Sequence, residues 1–282
     1  MVVYCKQLRR VEISILDPDT IEQTSVIHVI RSSVSFDERK ETVFDPRMGV
    51  THYTETCGTC ACNMNDCHGH FGHIRLNLPF FQPFFINRIY KILQKTCWSC
   101  FHPCPTNQCS CCYRKQGKWS RDGVFKDRIY HRCGTVKKEY STTDIQQILS
   151  IYDQENKPKQ PLAWLITTVL PVLPPCSRPS ILNKGSWSHN SLSHTYANIV
   201  KENNVLRVFI DQMQPPHIIH QQWRRCQDQI YKIYDVRNMN ETVYMEGIRQ
   251  RLDGKQGRMR KHLVGKRCDY SARTVRLFVY LK

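Results

Sequence analysis

The spacing of apolar and polar residues along the chain predicts short strands interspersed with longer helices. The segments "VEISIL" and "SVIHVI" near the N-terminus alternate as half-buried strands do. The segment "IIHQQWRRCQDQIYKIY" instead carries apolar side chains at steps of four and three, which is the spacing of one helix face. We expect the following residues to form a stripe in the core: Ile219, Trp223, Cys226, Ile230 and Ile233.

The same periodicity predicts two further helices. "PFFINRIYKILQKT" places apolar residues on one face, namely Ile86, Ile89, Tyr90 and Leu93. "HNSLSHTYANIVKENN" has a helical pattern that Asn190 or Ser191 can cap. Residues 134–160 are polar, and we expect a linker there with a short helix near "TTDIQQILSIYD".

Proline-containing segments mark the connections. "DPRMG", Asp45–Gly49, has the composition of a turn. "WLITTVLPVLPPCSRPS" begins as an apolar strand and continues with several prolines. Because proline fixes φ and has no N–H group, this stretch is predicted to be an extended, rigid connection.

Length and composition restrict the class of protein. The 282 residues suffice for one large or two to three small domains, and a hydrophobic content of 40% supports a packed core. No apolar run reaches the roughly 18 residues of a membrane-spanning helix, and the first residues lack the order of a signal peptide. We therefore expect an intracellular protein, with no membrane partner, whose thiols stay reduced.

The cysteines are concentrated in one part of the chain. Eleven of the 15 lie between Cys57 and Cys133. In a reducing compartment, clustered cysteines indicate metal binding rather than disulfides. The other four are expected to be ordinary thiols: Cys5, Cys176, Cys226 and Cys268.

The densest cluster is "CGTCACNMNDCHGHFGH" at residues 57–73. It contains a C-x2-C pair and a C-x2-H pair, and we expect both to bind one zinc ion tetrahedrally through Cys57, Cys60, Cys67 and His70. Four protein ligands leave no position for an activated water, so this zinc would be structural. The remaining candidates of the stretch are expected not to bind it: Cys62, His68 and His73.

A second zinc site is predicted downstream, starting from the C-x2-C pair of Cys97 and Cys100. Spacing leaves its other two ligands open among Cys104, Cys109, Cys111, Cys112 and Cys133. Cys109 and Cys112 form another C-x2-C pair, whereas Cys133 followed by Gly134 resembles the end of a zinc knuckle.

Basic residues dominate the charge. The chain has 41 Lys and Arg against 24 Asp and Glu, a formal charge of +17. Ten basic residues lie between Arg249 and Arg276, with only Asp253 and Asp269 as acids, so nearly half of the excess falls in this segment. Glycines punctuate it and allow close approach of the backbone to a partner. This focusing indicates a polyanion, most often nucleic acid.

Five motifs, in order along nearly the whole chain, resemble the N-terminal region of the largest subunit of multisubunit DNA-directed RNA polymerases. They are "DPRMG", "CGTCACNMNDCHGHFGHI", "VLPVLPPCSRPSI", "SLSHTYANIVKENN" and "RLDGKQGRMRKHLVGKRCDYSARTV". The second is similar to the family's C-x2-C-x6-C-x2-H-F-G-H-I motif. The last is similar to R-L-K-G-K-x-G-R-x-R-x-N-L-x-G-K-R-V-D-F-S-A-R-T-V.

The resemblance implies an α+β clamp domain with two structural zinc sites, helical segments and a basic C-terminal switch segment. It implies Cys97, Cys100 and Cys133 as ligands of the second zinc, with Cys112 favoured over Cys109 as the other ligand. The basic segment would contact template DNA and the DNA–RNA hybrid. The matching positions are Lys255, Arg258, Arg260, Lys266, Arg267 and Arg273.

The resemblance also implies an order of regions. Residues 1–56 would form N-terminal clamp strands and residues 57–160 the zinc-binding clamp region. Residues 161–235 would hold the proline-rich connection, a lid-like loop and the clamp helices. Residues 236–282 would form a truncated, rudder-like and switch-like basic segment, with the shortened rudder in "DVRNMNETVYMEGIRQ".

This chain departs from the family pattern in several places. The N-A-D-F-D-G-D motif, whose aspartates hold the catalytic Mg2+, is absent from the sequence, so we expect no catalytic residue in this chain. Asp253, His262 and Cys268 replace the usual basic residue, Asn and Val. We expect a fragment, a split gene or an interrupted reading frame, in a divergent polymerase of a cell or a virus.

Two functional hypotheses follow. The first is a component of a DNA-directed RNA polymerase, a nucleotidyltransferase, that works with the second-largest subunit in the nucleus, or in the cytoplasm or virion of a virus. It would bind two structural zinc ions, and Mg2+ only in the complete enzyme. The alternative is a free-standing zinc protein derived from a polymerase subunit, which binds nucleic acid or regulates transcription.

Overall fold

The computed structural model describes residues 15–104, 106–122, 127–133, 135–156, 158, 160–183, 186–235, 247–265 and 268–274. The described residues combine helices with antiparallel sheets, which agrees with the predicted mixed class. Three predicted features lie mainly or wholly outside these residues: the strand in "VEISIL", the rudder-like segment, and the basic residues Lys266 and Arg267. None of the described helices is both long enough and apolar enough to cross a membrane.

Six α-helices are found in the described residues. They are α1 (Pro18–Thr24), α2 (Ile86–Leu93), α3 (Thr142–Asn156), α4 (Ser191–Asp211), α5 (Pro216–Tyr234) and α6 (Ile248–Leu252). Asn190 caps α4, since its side chain accepts a hydrogen bond from the backbone N–H of Leu192. Short 3-10 turns occur at Pro46–Met48, Leu162–Leu165 and Pro175–Ser177, and a π-helical turn at Met259–Val264.

The strands form three small antiparallel sheets. They are β1 (Gly72–Phe81), β2 (Lys118–Asp122), β3 (Arg128–Cys133), β4 (Val136–Tyr140), β5 (Ile166–Val172), β6 (Ile181–Asn183) and β7 (Ser186–Ser188). β1 pairs with β5, β2–β3–β4 form a three-stranded sheet, and β6–β7 form a hairpin. The strand expected in "SVIHVI" is reduced to extended chain with a single bridge, between His28 and His73.

The centre of the molecule is the β1–β5 pair, covered by α3, α4 and α5. β1 pairs with β5 at Gly72–Arg75 and again at Phe80–Phe81, with a break in register between them. A buried backbone that leaves its partner strand needs other hydrogen-bond partners. Side chains from the helices supply them.

Two buried amides bind backbone groups of β1, one of them within the break and the other at the paired residue Phe81. Asn203 of α4 accepts from the N–H of Asn77 at 3.0 Å and donates to the carbonyl oxygen of Arg75 at 2.9 Å. Gln227 of α5 accepts from the N–H of Phe81 and donates to its carbonyl oxygen, both at 2.9 Å. These contacts fix how α4 and α5 lie against β1.

The predicted core stripe of α5 is confirmed in position. Trp223, Cys226, Ile230 and Ile233 are buried in the main core, with Ile219 packed at its edge. In α2, Ile86, Ile89 and Leu93 are buried, and Tyr90 is partly buried.

The short helix predicted near "TTDIQQILSIYD" is confirmed as part of α3, whereas the prediction that residues 134–160 act as a polar linker was wrong. This segment forms β4 and the 15-residue helix α3. Ile145, Ile148 and Leu149 of α3 are fully buried against the core. Their spacing marks one narrow apolar stripe in an otherwise polar helix, so composition alone concealed a core element.

Candidate metal centres and basic segment

The turn at Asp45–Gly49 lies beside the first cysteine cluster and is held rigid by Asp45. Asp45 is 2% exposed and accepts hydrogen bonds from Arg47 and from the backbone N–H of Glu41. Burial alone would raise the pKa of this carboxyl group, but these hydrogen bonds lower it below its usual value. Asp45 is therefore held as a carboxylate that fixes the turn.

Backbone groups of this turn bind both halves of the cluster. The carbonyl oxygen of Pro46 accepts from the N–H of Gly58 at 3.1 Å, and that of Met48 accepts from the N–H of His70 at 2.8 Å. The C-x2-C and C-x2-H pairs are thus positioned by one common support.

The structure brings together the four residues predicted for the first site. One side-chain ligand atom each from Cys57, Cys60, Cys67 and His70 lies within 4.8 Å of all the others. The distance from Cys67 Sγ to His70 Nε2 is 3.9 Å. Cys62, His68 and His73 are outside this group.

The thiols of this group have opposite pKa shifts. The hydrogen bond with His70 lowers the pKa of Cys60 to about 6. Burial raises the pKa of Cys67 to about 11, and the nearby Cys60 and Cys57 act in the same direction. Thiolates this close repel one another unless a cation lies between them.

The second group consists of Cys97, Cys100, Cys109 and Cys112, whose sulfur atoms also lie within 4.8 Å of one another. Cys97 Sγ is 3.6 Å from Cys112 Sγ, and Cys100 Sγ is 3.5 Å from Cys109 Sγ. Burial opposes ionisation of Cys97, but N–H groups of Cys100 and Ser99 and the side-chain amide of Gln116 lower its pKa to about 6. Burial raises the pKa of Cys100.

Cys109, and not Cys133, completes this second group. Cys133 is exposed at the end of β3, where it pairs with Val136 of β4. The sequence did contain the correct signal, because Cys109 and Cys112 have the same C-x2-C spacing as Cys97 and Cys100.

The C-x2-C pairs share one backbone geometry. In each, the N–H two residues after the first cysteine donates to that cysteine's sulfur at 3.4 Å, from Thr59, Ser99 and Cys111. In each, the residue after the second cysteine has a positive φ: 55° at Ala61, 63° at Phe101 and 54° at Tyr113. Glycine is the usual residue in that conformation. A glycine after the cysteine is therefore not required for this geometry, and Cys133 lies outside the second group.

Both groups fit a zinc ion. A tetrahedral zinc with Zn–S bonds of about 2.3 Å requires sulfur–sulfur distances of about 3.8 Å, close to the 3.5 and 3.6 Å observed. The ligand sets, three sulfurs with one nitrogen and four sulfurs, are of the kind that structural zinc prefers. The segment around the second group has a small buried cluster of its own, and this cluster consists of cysteines. Because no larger apolar side chains belong to it, a bound metal would have to stabilise this segment in place of a hydrophobic core.

The basic segment is attached to the body of the molecule at its start. Arg249 donates to Asp235 at 3.0 Å. Arg251 donates to the carbonyl oxygen of Ser177 at 2.8 Å and to Asn190 at 3.0 Å. The segment therefore starts beside the proline-rich turn and the N-terminus of α4.

Beyond α6 the segment is exposed. Gly254 has a φ of +81°, and a Cβ atom at Gly257 would lie 2.2 Å from the carbonyl oxygen of Asp253, so the chain folds there as only glycine readily allows. The four predicted DNA-binding residues that are described all have exposed side chains: Lys255, Arg258, Arg260 and Arg273. The β6–β7 hairpin lies in the part of the sequence for which a lid-like loop was predicted, and that assignment stays a prediction.

Comparison with known proteins identifies the family. The family described as RNA polymerase Rpb1, domain 1, matches residues 5–138 and 106–263, which together cover most of the chain. The chain belongs to this family and corresponds to the N-terminal region of the largest RNA polymerase subunit, as its motifs indicated.

Curated relatives support this assignment. The chain is 30% identical to DNA-directed RNA polymerase subunit Rpo1N of Methanocaldococcus jannaschii, over 96% of this chain and 24% of the relative. It is 29% identical to Rpo1N of Sulfolobus acidocaldarius, over 96% of this chain and 37% of the relative. It is 27% identical to DNA-directed RNA polymerase II subunit RPB1 of Euplotoides octocarinatus, over 96% of this chain and 70% of the relative. The chain thus spans well under half the length of the two archaeal relatives.

Proposed function

We propose that this chain forms the zinc-bearing clamp and the DNA-contacting switch region of the largest subunit of a DNA-directed RNA polymerase. The observation that carries the proposal is the convergence of two complete four-ligand groups in a chain of the Rpb1 domain 1 family. Relatives over 96% of the chain are subunits of DNA-directed RNA polymerases.

In this proposal Cys57, Cys60, Cys67 and His70 hold one zinc, and Cys97, Cys100, Cys109 and Cys112 hold the other. Zinc would supply crosslinks between loops and no chemistry on a substrate, because each site is closed by four protein ligands. The first crosslink joins the two knuckles beside the Asp45 turn. The second joins the two knuckles that precede the β2–β3–β4 sheet.

The basic segment is proposed to contact template DNA and the DNA–RNA hybrid. Exposed Lys and Arg side chains neutralise phosphates without reading sequence. The proposed contacts are Lys255, Arg258, Arg260, Lys266, Arg267 and Arg273, of which Lys266 and Arg267 lie outside the described residues. The contacts of Arg249 and Arg251 with the body of the molecule would couple DNA binding at the basic segment to the position of the clamp.

The proposed partners include the second-largest subunit and the part of the polymerase that holds the catalytic Mg2+. Apolar side chains in the basic segment support a protein partner, because Met259, Leu263 and Val264 are 50%, 73% and 85% exposed. A free-standing monomer would leave this surface in water. The complex would act as a nucleotidyltransferase in the nucleus, or in the cytoplasm or virion if the polymerase is viral.

The test is DNA binding by the zinc-loaded chain, alone and co-expressed with a second-largest subunit. Replacing Lys255, Arg258, Arg260 and Arg273 by Gln is expected to reduce the dependence of log K on log[salt] by about 3 to 4 in slope. Unchanged DNA binding, with normal zinc content, would refute the role of the basic segment.

A further inference from the structure

The β2–β3–β4 sheet has one buried and one exposed face. Alternate residues point inward and are buried: Trp119, Ile129, His131 and Tyr140. The residues between them form the outer face, as expected for an antiparallel sheet packed on one side. This outer face is not part of the basic segment described above.

Three basic residues lie side by side on the outer face. Lys118 of β2 is directly opposite Arg132 of β3, and Arg132 is directly opposite Lys137 of β4. All three side chains are exposed. We refer to these three residues as the cationic row.

This arrangement is unfavourable for the isolated sheet. Like charges directly opposite on neighbouring strands repel each other, and Arg132 has such a neighbour on both sides. Among the ion pairs formed by the described residues, none includes a member of the row. The repulsion is therefore not offset by an acidic partner in this part of the structure.

The acidic residues of the same face are directed elsewhere. Glu139 bonds to Arg224 at 3.1 Å, and Asp122 lies opposite Arg128 at the far end of the sheet. Between these ends is Tyr130, with the Lys137 ammonium 3.8 Å from its ring centroid. This cation–π contact holds one end of the row in place.

We propose that the cationic row binds the phosphate backbone of a nucleic acid. Adjacent strands are about 4.8 Å apart, so the row is about 10 Å wide. A DNA duplex presents one negative charge per about 1.7 Å of its axis, so the row faces several phosphates at once. Bound phosphates attract each member of the row and so offset the repulsion among the three cations. The contact is to the backbone and carries no sequence preference.

The experiment measures binding of the zinc-loaded chain to labelled duplex and single-stranded DNA by fluorescence anisotropy between about 50 and 200 mM salt. The row variant carries Lys118→Gln, Arg132→Gln and Lys137→Gln. A control variant removes the same charge from exposed positions outside the row, with Lys40→Gln, Lys201→Gln and Arg225→Gln.

The row variant is expected to reduce the slope of log K against log[salt] by about 2 to 3, whereas the control variant changes it by less than about 1.

A second readout is the stability of the folded chain. Arg132→Gln removes two repulsive pairs, so the midpoint of thermal unfolding should rise at low salt and approach that of the wild type at high salt. Loss of binding together with unchanged or higher stability distinguishes a binding role from a folding role.

Equal slopes for the row and control variants would overturn the inference. So would a row variant that keeps DNA binding but no longer binds polyglutamate, because the partner would then be an acidic protein segment. The inference is independent of the basic segment: if only the row variant weakens DNA binding, the row is supported and the proposed role of the basic segment fails.

Discussion

Replacing Cys109 with Ser is expected to remove one of two bound zinc ions, whereas replacing Cys133 with Ser should leave both in place. Cys109 Sγ is 3.5 Å from Cys100 Sγ, close to the roughly 3.8 Å edge of a zinc–sulfur tetrahedron. Cys133 is exposed and lies outside that group. The pair of variants therefore tests the assignment with the same chemical change at two positions.

The size of the effect follows from what structural zinc contributes. Binding free energies of about 10–16 kcal/mol, divided over four ligands, give about 2.5–4 kcal/mol per ligand. Losing one thiolate should then weaken the second site by roughly 60- to 700-fold. The exposed Cys133 thiol should cost no more than about 0.5 kcal/mol when replaced.

The assay is zinc content after dialysis against a chelator whose affinity lies between those of the intact and the damaged site. The wild type and the Cys133 variant should retain two zinc ions per chain, and the Cys109 variant one. Trp98 offers a local probe, because it follows Cys97 and its ring stacks on His131 at 5.3 Å. Retention of two zinc ions by the Cys109 variant, and of one by the Cys133 variant, would refute the assignment.

Three further predictions concern the fold around these sites. Gln227→Leu leaves the N–H and carbonyl of Phe81 without their partner, and should reduce the free energy of unfolding by about 2–5 kcal/mol in urea titrations. Tyr113→Gly should raise it by about 0.5–1 kcal/mol, because the positive φ of Tyr113 suits glycine and its side chain is 75% exposed. Burial lowers the pKa of His28, so the folded state binds fewer protons than the unfolded chain, and stability is lost as the pH falls below about 6.5. His28→Phe should reduce that loss between pH 7 and pH 5.5.

Each of these predictions has a distinct contrary result. Gln221→Leu, on the exposed side of the same helix, is the control for Gln227→Leu, and similar effects of the two would contradict a specific role for the buried amide. A Tyr113→Gly variant that is less stable than the wild type would mean that the tyrosine side chain packs on a partner. Identical pH profiles for wild type and His28→Phe would mean that His28 titrates alike in the folded and unfolded states.

The spacing of residues along the sequence was sufficient to predict several helices, one turn and one ligand group. The helices α4 and α5, the Asp45 turn and the four residues of the first ligand group are all encoded within stretches shorter than about 25 residues. The sequence could not reveal that Asn203 and Gln227 hydrogen-bond to the backbone of β1, since these contacts join residues 126 and 146 positions apart. Their polar side chains gave no sign of burial.

Two other outcomes depended on backbone conformation or register. Phe101 and Tyr113 adopt the conformation that glycine usually marks, whereas the family resemblance implied a last ligand followed by glycine, Cys133, and Cys112 was favoured over Cys109. The cationic row was also hidden in the sequence, because Lys118 and Arg132 become neighbours only through strand pairing. Both features depend on backbone geometry that residue spacing does not specify.

The central claim is that this chain works as part of a DNA-directed RNA polymerase, and native isolation tests it most directly. The chain would be captured from the cells that produce it, and template-dependent RNA synthesis measured in the captured complex and in the depleted extract. The account predicts that the chain is recovered with a second-largest subunit, about two zinc ions per chain and polymerase activity. Recovery of the chain as a free protein, with polymerase activity remaining in the depleted extract, would contradict it.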